Sequence, residues 1–454
     1  MPPRRSARCA AVAERQSSVL APLPLPVVHR IFLSMPVDCR ARASCVCRAW
    51  RDALAEPALW TRLHLSVYNS VSPIRVVTDP LFQGAAGRAR GQLQQLDVSI
   101  LLGVTQATLL AVVTANAGSL RELSVDGEGV SVAYLAALLR AAPNLQRLDA
   151  CVACFLGDVA RLMRAEPPFA PLRLRELDVN VTPYEVVDGG WLQAPLGGLG
   201  QVASLAALLA DPALQPTLSR VTVRNFDAQR PEVMASLTDA VLARGLRELS
   251  LLSFTPPAAE PLARLVRDGV LTSLTFDSSR AYDVPFLDTA GAVLVAAALR
   301  ANTTLESLMF SNAGLCRDTP AAATLLDALV GHCSLRALGL TLECEARGPE
   351  SIVPAALAAL VAADAPALQS LDVCGLVLGD ASLTPLMDAL PHNHHLGVLY
   401  INLNQTTAAF ARERLLPAVR ANTSLQSLSC GAIAKSPAEK AAIDFVCRRN
   451  AARR

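Results

Sequence analysis

One short pattern, Leu-x-x-Leu-x-apolar, returns twelve times between residues 93 and 430, and nothing else in the chain constrains the fold as much. It first reads Leu93-Gln94-Gln95-Leu96-Asp97-Val98. Further copies start at Leu120, Leu145, Leu174, Leu218, Leu246, Leu271, Leu305, Leu335, Leu368, Leu396 and Leu425. Ten of the eleven intervals lie between 25 and 34 residues; the other, from Leu174 to Leu218, is 44. Within each copy, apolar and polar positions alternate with the two-residue period of a half-buried strand. Between copies lie Ala/Leu-rich segments with helical spacing. In residues 132–144, for example, Leu135, Leu138 and Leu139 share one face at i, i+3 and i+4. One strand and one helix of this size cannot bury their apolar faces alone, so neighbouring units are expected to stack.

This pattern resembles leucine-rich repeats of the ribonuclease-inhibitor-like kind. The resemblance implies an α/β solenoid, a horseshoe of about twelve repeats over residues 93–434, with parallel strands on the concave side and helices on the convex side. The chain departs from it in one respect: the Asn expected eight residues after the first Leu occurs only at Asn404. The long interval is read as an insertion at 188–200, holding Trp191, that makes a flexible excursion from the solenoid; a partner-contacting loop is its better functional reading. It is Gly-rich but lacks the Gly-Lys-Ser/Thr of a phosphate-binding loop. Residues 435–454 are expected to form a capping helix and a basic tail.

The N-terminal segment is different in kind. Two of the three tryptophans, Trp50 and Trp60, fall within residues 23–63, although aromatics are 4% of the chain. Residues 25–35 read as an amphipathic helix with Val28, Ile31, Phe32 and Met35 on its apolar stripe, ended by Pro36. A second helix carries Val46, Trp50 and Leu54, and Leu59, Trp60 and Leu63 close the unit. A module of some 40 residues buries too little area to stand alone, so it needs a partner or the adjacent array.

Its ordered elements Leu23-Pro24, Ile31-Phe32, Met35-Pro36, Val46-Cys47-Arg48, Trp50 and Leu59-Trp60 resemble the F-box family. Pro26 and Arg40 depart from that pattern, which more often has an acidic and an apolar residue there. The resemblance implies a three-helix module that binds a Skp-type adaptor, and through it a cullin scaffold with its RING subunit. It also implies adaptor-contact or core roles for Leu23, Pro24, Ile31, Phe32, Met35, Pro36, Val46, Cys47, Trp50, Leu59 and Trp60. Residues 1–22 are expected to be a flexible tail, and 64–92 a linker or N-terminal cap.

Mean hydropathy is +0.35, but no apolar run approaches the 18 residues of a membrane span. The basic N-terminus lacks the apolar region of a secretory signal, so none is expected, and the twelve cysteines show no paired spacing, so a reduced cytoplasmic or nuclear setting is expected. A formal charge of +2 argues against a general grip on nucleic acid. Only Lys435 and Lys440 are lysines. There is no G-x-S-x-G, H-E-x-x-H or Walker A motif and no pair of C-x-x-C motifs, so neither catalysis nor a metal or other cofactor is expected. The histidines of Pro391-His392-Asn393-His394-His395 read as a solvated turn.

A partner site is sought instead on the strand face, at the third, fifth and seventh position of each copy. Asp97, Glu122, Asp126, Asp149, Glu176, Asp178, Glu248, Asp277 and Asp372 fall there, against Arg147, Arg220 and Arg224. The sequence therefore reads as the substrate receptor of a cullin-type ubiquitin ligase, taking a protein with a basic surface. The alternative is a repeat scaffold with no role in degradation, whose helical module is only a cap.

Overall fold

The computed structural model describes residues 23–35, 37–65, 77–98, 104–125, 130–151, 156–165, 172–181, 184–187, 190–193, 199–211, 217–253, 255–278, 286–311, 319–341, 353–431 and 437–452. They form two compact units. One comprises Met1–Pro183 with Asp211–Leu218, the other Tyr184–Ala210 with Ser219–Arg454.

The first unit opens with three short helices: α1 (Leu25–Leu33), α2 (Val37–Ala43) and α3 (Arg48–Ala53). Pro26 sits in the first turn of α1, where its missing N–H costs nothing. Cys47 caps α3, its Sγ accepting from the Trp50 amide at 3.4 Å. The apolar stripe of α1 is narrower than its sequence suggests, because Val28 and Phe32 are buried while Ile31 is exposed. Val46 lies ahead of α3 and is also exposed, and α2 occupies the stretch between the two helices expected from sequence.

A 3-10 turn, Pro57–Trp60, leads straight into a strand, β1 (Arg62–His64). It pairs in parallel with β2 (Gln95–Asp97), followed by β3 (Glu122–Val125), β4 (Arg147–Cys151) and β5 (Glu176–Asn180). Helix α4 (Asp79–Gly87) connects β1 to β2. Arg62-Leu63-His64 thus forms a strand ahead of the twelve leucine copies. Its backbone obeys the same rule as theirs. The Thr61 carbonyl accepts from the amides of Gln94 and Gln95, as the Gln94 carbonyl does from Arg121 and Glu122, and that of Arg121 from Gln146 and Arg147.

The second unit begins with an antiparallel hairpin, β6 (Tyr184–Val187) and β7 (Gly190–Gln193), where the sequence suggests a loop. Eight parallel strands then pair in chain order: β8 (Arg220–Arg224), β9 (Glu248–Leu252), β10 (Ser273–Asp277), β11 (Ser307–Ser311), β12 (Ala337–Thr341), β13 (Ser370–Asp372), β14 (Val398–Tyr400) and β15 (Ser427–Ser429). Third position pairs with third in every described neighbour, and the connecting helices pack side by side.

Each copy's first, fourth and sixth residues supply the core. Leu93, Leu96 and Val98, Leu246, Leu249 and Leu251, and Leu396, Leu399 and Ile401 are all essentially inaccessible. Among the described residues this is a strand–helix repeat consistent with a leucine-rich-repeat-like solenoid. Asn404 takes the expected ladder role, donating from Nδ2 to the carbonyls of Val373 and Ile401 and accepting the Leu378 amide. The terminal helix, Pro437–Ala451, covers the last strand with Ile443, Val446 and Cys447.

Candidate functional site

The N-terminal module divides its apolar residues sharply. Phe32, Leu54, Leu59 and Trp60 are 2% exposed or less and form the core, with the Phe32 and Trp50 rings meeting edge to face at 5.7 Å. Leu23, Pro24, Ile31 and Val46 lie on the surface, with Ile31 40% exposed. Met35, Cys47 and Trp50 are intermediate, and Pro36 lies outside the described residues. Leu25, Val27 and Leu33 are exposed as well, and the sequence reading did not select them. Val27 and Ile31, four apart on α1, present one apolar edge beside the buried pair Val28 and Phe32. That spacing was the signal that could have found Val27.

Trp60 joins the module to the array. Its indole N–H donates to the Leu54 carbonyl at 2.7 Å, and the guanidiniums of Arg40 and Arg88 lie 5.6 and 4.6 Å from the ring centroid. Arg40, the departure from the family pattern, is buried. It donates to the carbonyls of Leu59 and Met35, and desolvation lowers its pKa. It belongs to the module's interior, where carbonyl oxygens and an aromatic face accommodate its charge.

On the strand face of the first unit, the register aligns two rows. Third positions read Arg62, Gln95, Glu122, Arg147 and Glu176; fifth positions read His64, Asp97, Ser124, Asp149 and Asp178. The third row is balanced, and Arg147 pairs with Glu176 at 3.7 Å. The fifth row carries three carboxylates, of which Asp97 has His64 at 3.5 Å and Asp178 is buried. Asp126 lies outside the described residues.

In the second unit Arg220 Nε donates to Glu248 at 2.6 Å, so the acid expected to face a partner is already engaged. Asp277 and Asp372 end β10 and β13. Beyond β9 the third positions are Ser273, Ser307, Ala337, Ser370, Val398 and Ser427, a nearly neutral row of mostly small residues.

Among the described residues no three His, Cys, Asp or Glu side chains group as metal ligands, and no helix is long and apolar enough to cross a membrane. In the histidine-rich turn Asn393 is buried, and its amide joins Val361 to the amides of His395 and Leu396.

Residues 20–66 match the F-box-like family. No curated protein matches the chain. Among the solved structures that resemble it are three at low identity. A chain from the yeast Rad7 and Elc1 complex is 14% identical, covers 89% of this chain and 95% of that one, and has a TM-score of 0.39. The tropomodulin C-terminal domain of Caenorhabditis elegans is 13% identical over 43% of this chain and 94% of that one, with a TM-score of 0.25. Leiomodin-1 actin-binding site 2 is 14% identical over 44% and 92%, with a TM-score of 0.25.

Proposed function

We propose that this chain is the substrate-recognition subunit of an SCF-type cullin-RING ubiquitin ligase. Its F-box-like module docks on a Skp-type adaptor, and the repeats of residues 93–434 hold the protein to be modified. The observation that carries this reading is the exposed set Leu23, Pro24, Val27, Ile31 and Val46, on a module whose own core is already filled. Apolar side chains that no internal packing requires are what an adaptor would cover. The mechanism is proximity: a target lysine held near a ubiquitin-charged enzyme reacts at a raised effective concentration, without a catalytic group on this chain.

A pull-down with purified Skp-type adaptor tests this reading. Pro24→Ala and Ile31→Ala alter exposed positions, so each is expected to weaken capture by about 1–3 kcal/mol while leaving the unfolding midpoint in place. A wild-type chain that captures no adaptor would leave the scaffold reading in its place. For the substrate, the acidic fifth row of the first unit supports a partner with a basic surface.

A further inference from the structure

Between the F-box-like module and α4 lies a cleft of about 440 Å³ lined by Arg51, Arg88 and Arg90, with no aspartate or glutamate in its wall. None of the three guanidiniums is paired with a carboxylate among the described residues. Arg51 spends only its Nε, on the Ser44 carbonyl at 3.3 Å. Arg88 spends one terminal nitrogen on Ser44 Oγ at 3.4 Å and is steadied against the Trp60 ring. Most N–H groups of the two forks, and all of those on Arg90, remain available.

The floor of the cleft is unusual too. Gly84 and Gly87, three apart on α4, both line it, and a Cβ added at either would meet nothing within 4 Å. Glycine inside a helix costs stability relative to alanine, and no packing contact among the described residues requires it at these positions. The bare helix surface widens a space that is already positively charged.

We propose that this cleft binds a small, multiply charged phosphate compound. Guanidinium forks match phosphate oxygens in pairs, and three unneutralised forks call for more charge than one carboxylate supplies. The volume falls within the range of small-molecule sites. Its position at the joint of module and array means that a bound polyanion would brace the two together.

The test uses the full-length chain in about 150 mM salt, with calorimetric titration and the thermal unfolding midpoint as readouts. The probes are ATP without magnesium, inositol hexakisphosphate, inorganic phosphate and a hexaglutamate peptide. ATP or the inositol phosphate is expected to bind and raise the midpoint, and the preference between them identifies the source class. Inorganic phosphate and hexaglutamate should bind at least about tenfold more weakly.

Two variants separate the cleft from general attraction to an arginine-rich chain. Arg90→Gln removes a side chain with no partner among the described residues, and Gly84→Leu fills the floor while keeping every charge. Each should weaken the preferred probe about tenfold or more, with the ligand-free midpoint unchanged or higher. Absence of polyphosphate binding overturns the proposal. So does binding that both variants leave intact, or binding that hexaglutamate matches.

Discussion

His332 occupies a slot that asparagine fills in neighbouring repeats. Three residues ahead of the next core leucine, Asn302 donates to the Val266 carbonyl and accepts the amides of Thr304 and Leu305. His332 makes the same three bonds with a ring. Nε2 faces the Leu299 carbonyl at 3.1 Å, and Nδ1 faces the amides of Ser334 and Leu335 at 3.4 and 3.3 Å. Two amides pointing at Nδ1 require it to accept, so the neutral ring carries its proton on Nε2. Burial lowers the His332 pKa, opposed in part by the bond to Leu299.

The folded state thus prefers neutral His332, and its contribution is fully present above the unfolded imidazole pKa of about 6.5. It is lost as pH falls below that value toward the lower folded pKa. Urea unfolding at pH 7.5 and 5.5 should show a larger loss for the wild type than for His332→Asn, which keeps the bonds without a titrating group. His332→Ala strands the buried Leu335 amide and the part-buried Ser334 amide and should cost about 1–3 kcal/mol at neutral pH. Asn-Thr, as at Asn302-Thr303 and Asn422-Thr423, is a familiar turn signal, so a capping role there is legible in a sequence. The same role at His332 is not legible, because an imidazole reads first as a ligand or a surface group.

Among the elements, β1 separates what was legible from what was not. The leucine copies fixed the positions and register of the parallel strands from β2 onward, because a half-buried strand tolerates no one-residue slip. Yet Trp60-x-x-Leu63-x-Leu65 is the same pattern with tryptophan in the first leucine's place. It went unread because the larger side chain and the F-box resemblance both claimed Trp60 for the module. The structure gives that residue to both. Trp60→Ala should therefore cost about 3–5 kcal/mol, by emptying a core slot and orphaning the Leu54 carbonyl. Ile31→Ala, on exposed α1, should shift stability by no more than about 0.5 kcal/mol. Denaturant midpoints for the two variants check the contrast, and equal losses would mean that α1 is packed where it looks open.

At the scale of the whole molecule, the chain closes its own end. Asn450 on the terminal helix donates to the carbonyls of Asn422 and Leu425, supplying the bonds a further repeat would have provided. Deleting residues 437–454 should uncover the last repeat's apolar edge. A lower thermal midpoint and faster amide exchange over residues 422–429 are the expected readouts. The strand faces behave less simply than composition suggested. Parallel register places Arg147 beside Glu176 and Arg220 beside Glu248, a cancellation that a count along the sequence cannot see. Reversing Asp97 and Asp149 together should weaken capture of a basic partner, more at low salt than at high. Capture that is insensitive to both changes would remove the acidic row from the account.

The strand at Arg62–His64 carries a mechanical consequence. Module and array share one hydrogen-bonded ladder across residues 61–65, so no hinge separates the F-box-like module from the first repeats. A flexible tether would let a captured protein sweep through many orientations and offer lysines almost at random. On the proposed function, a welded joint would make the chain a jig: a target's place along the first unit's strands would decide which of its lysines comes within reach.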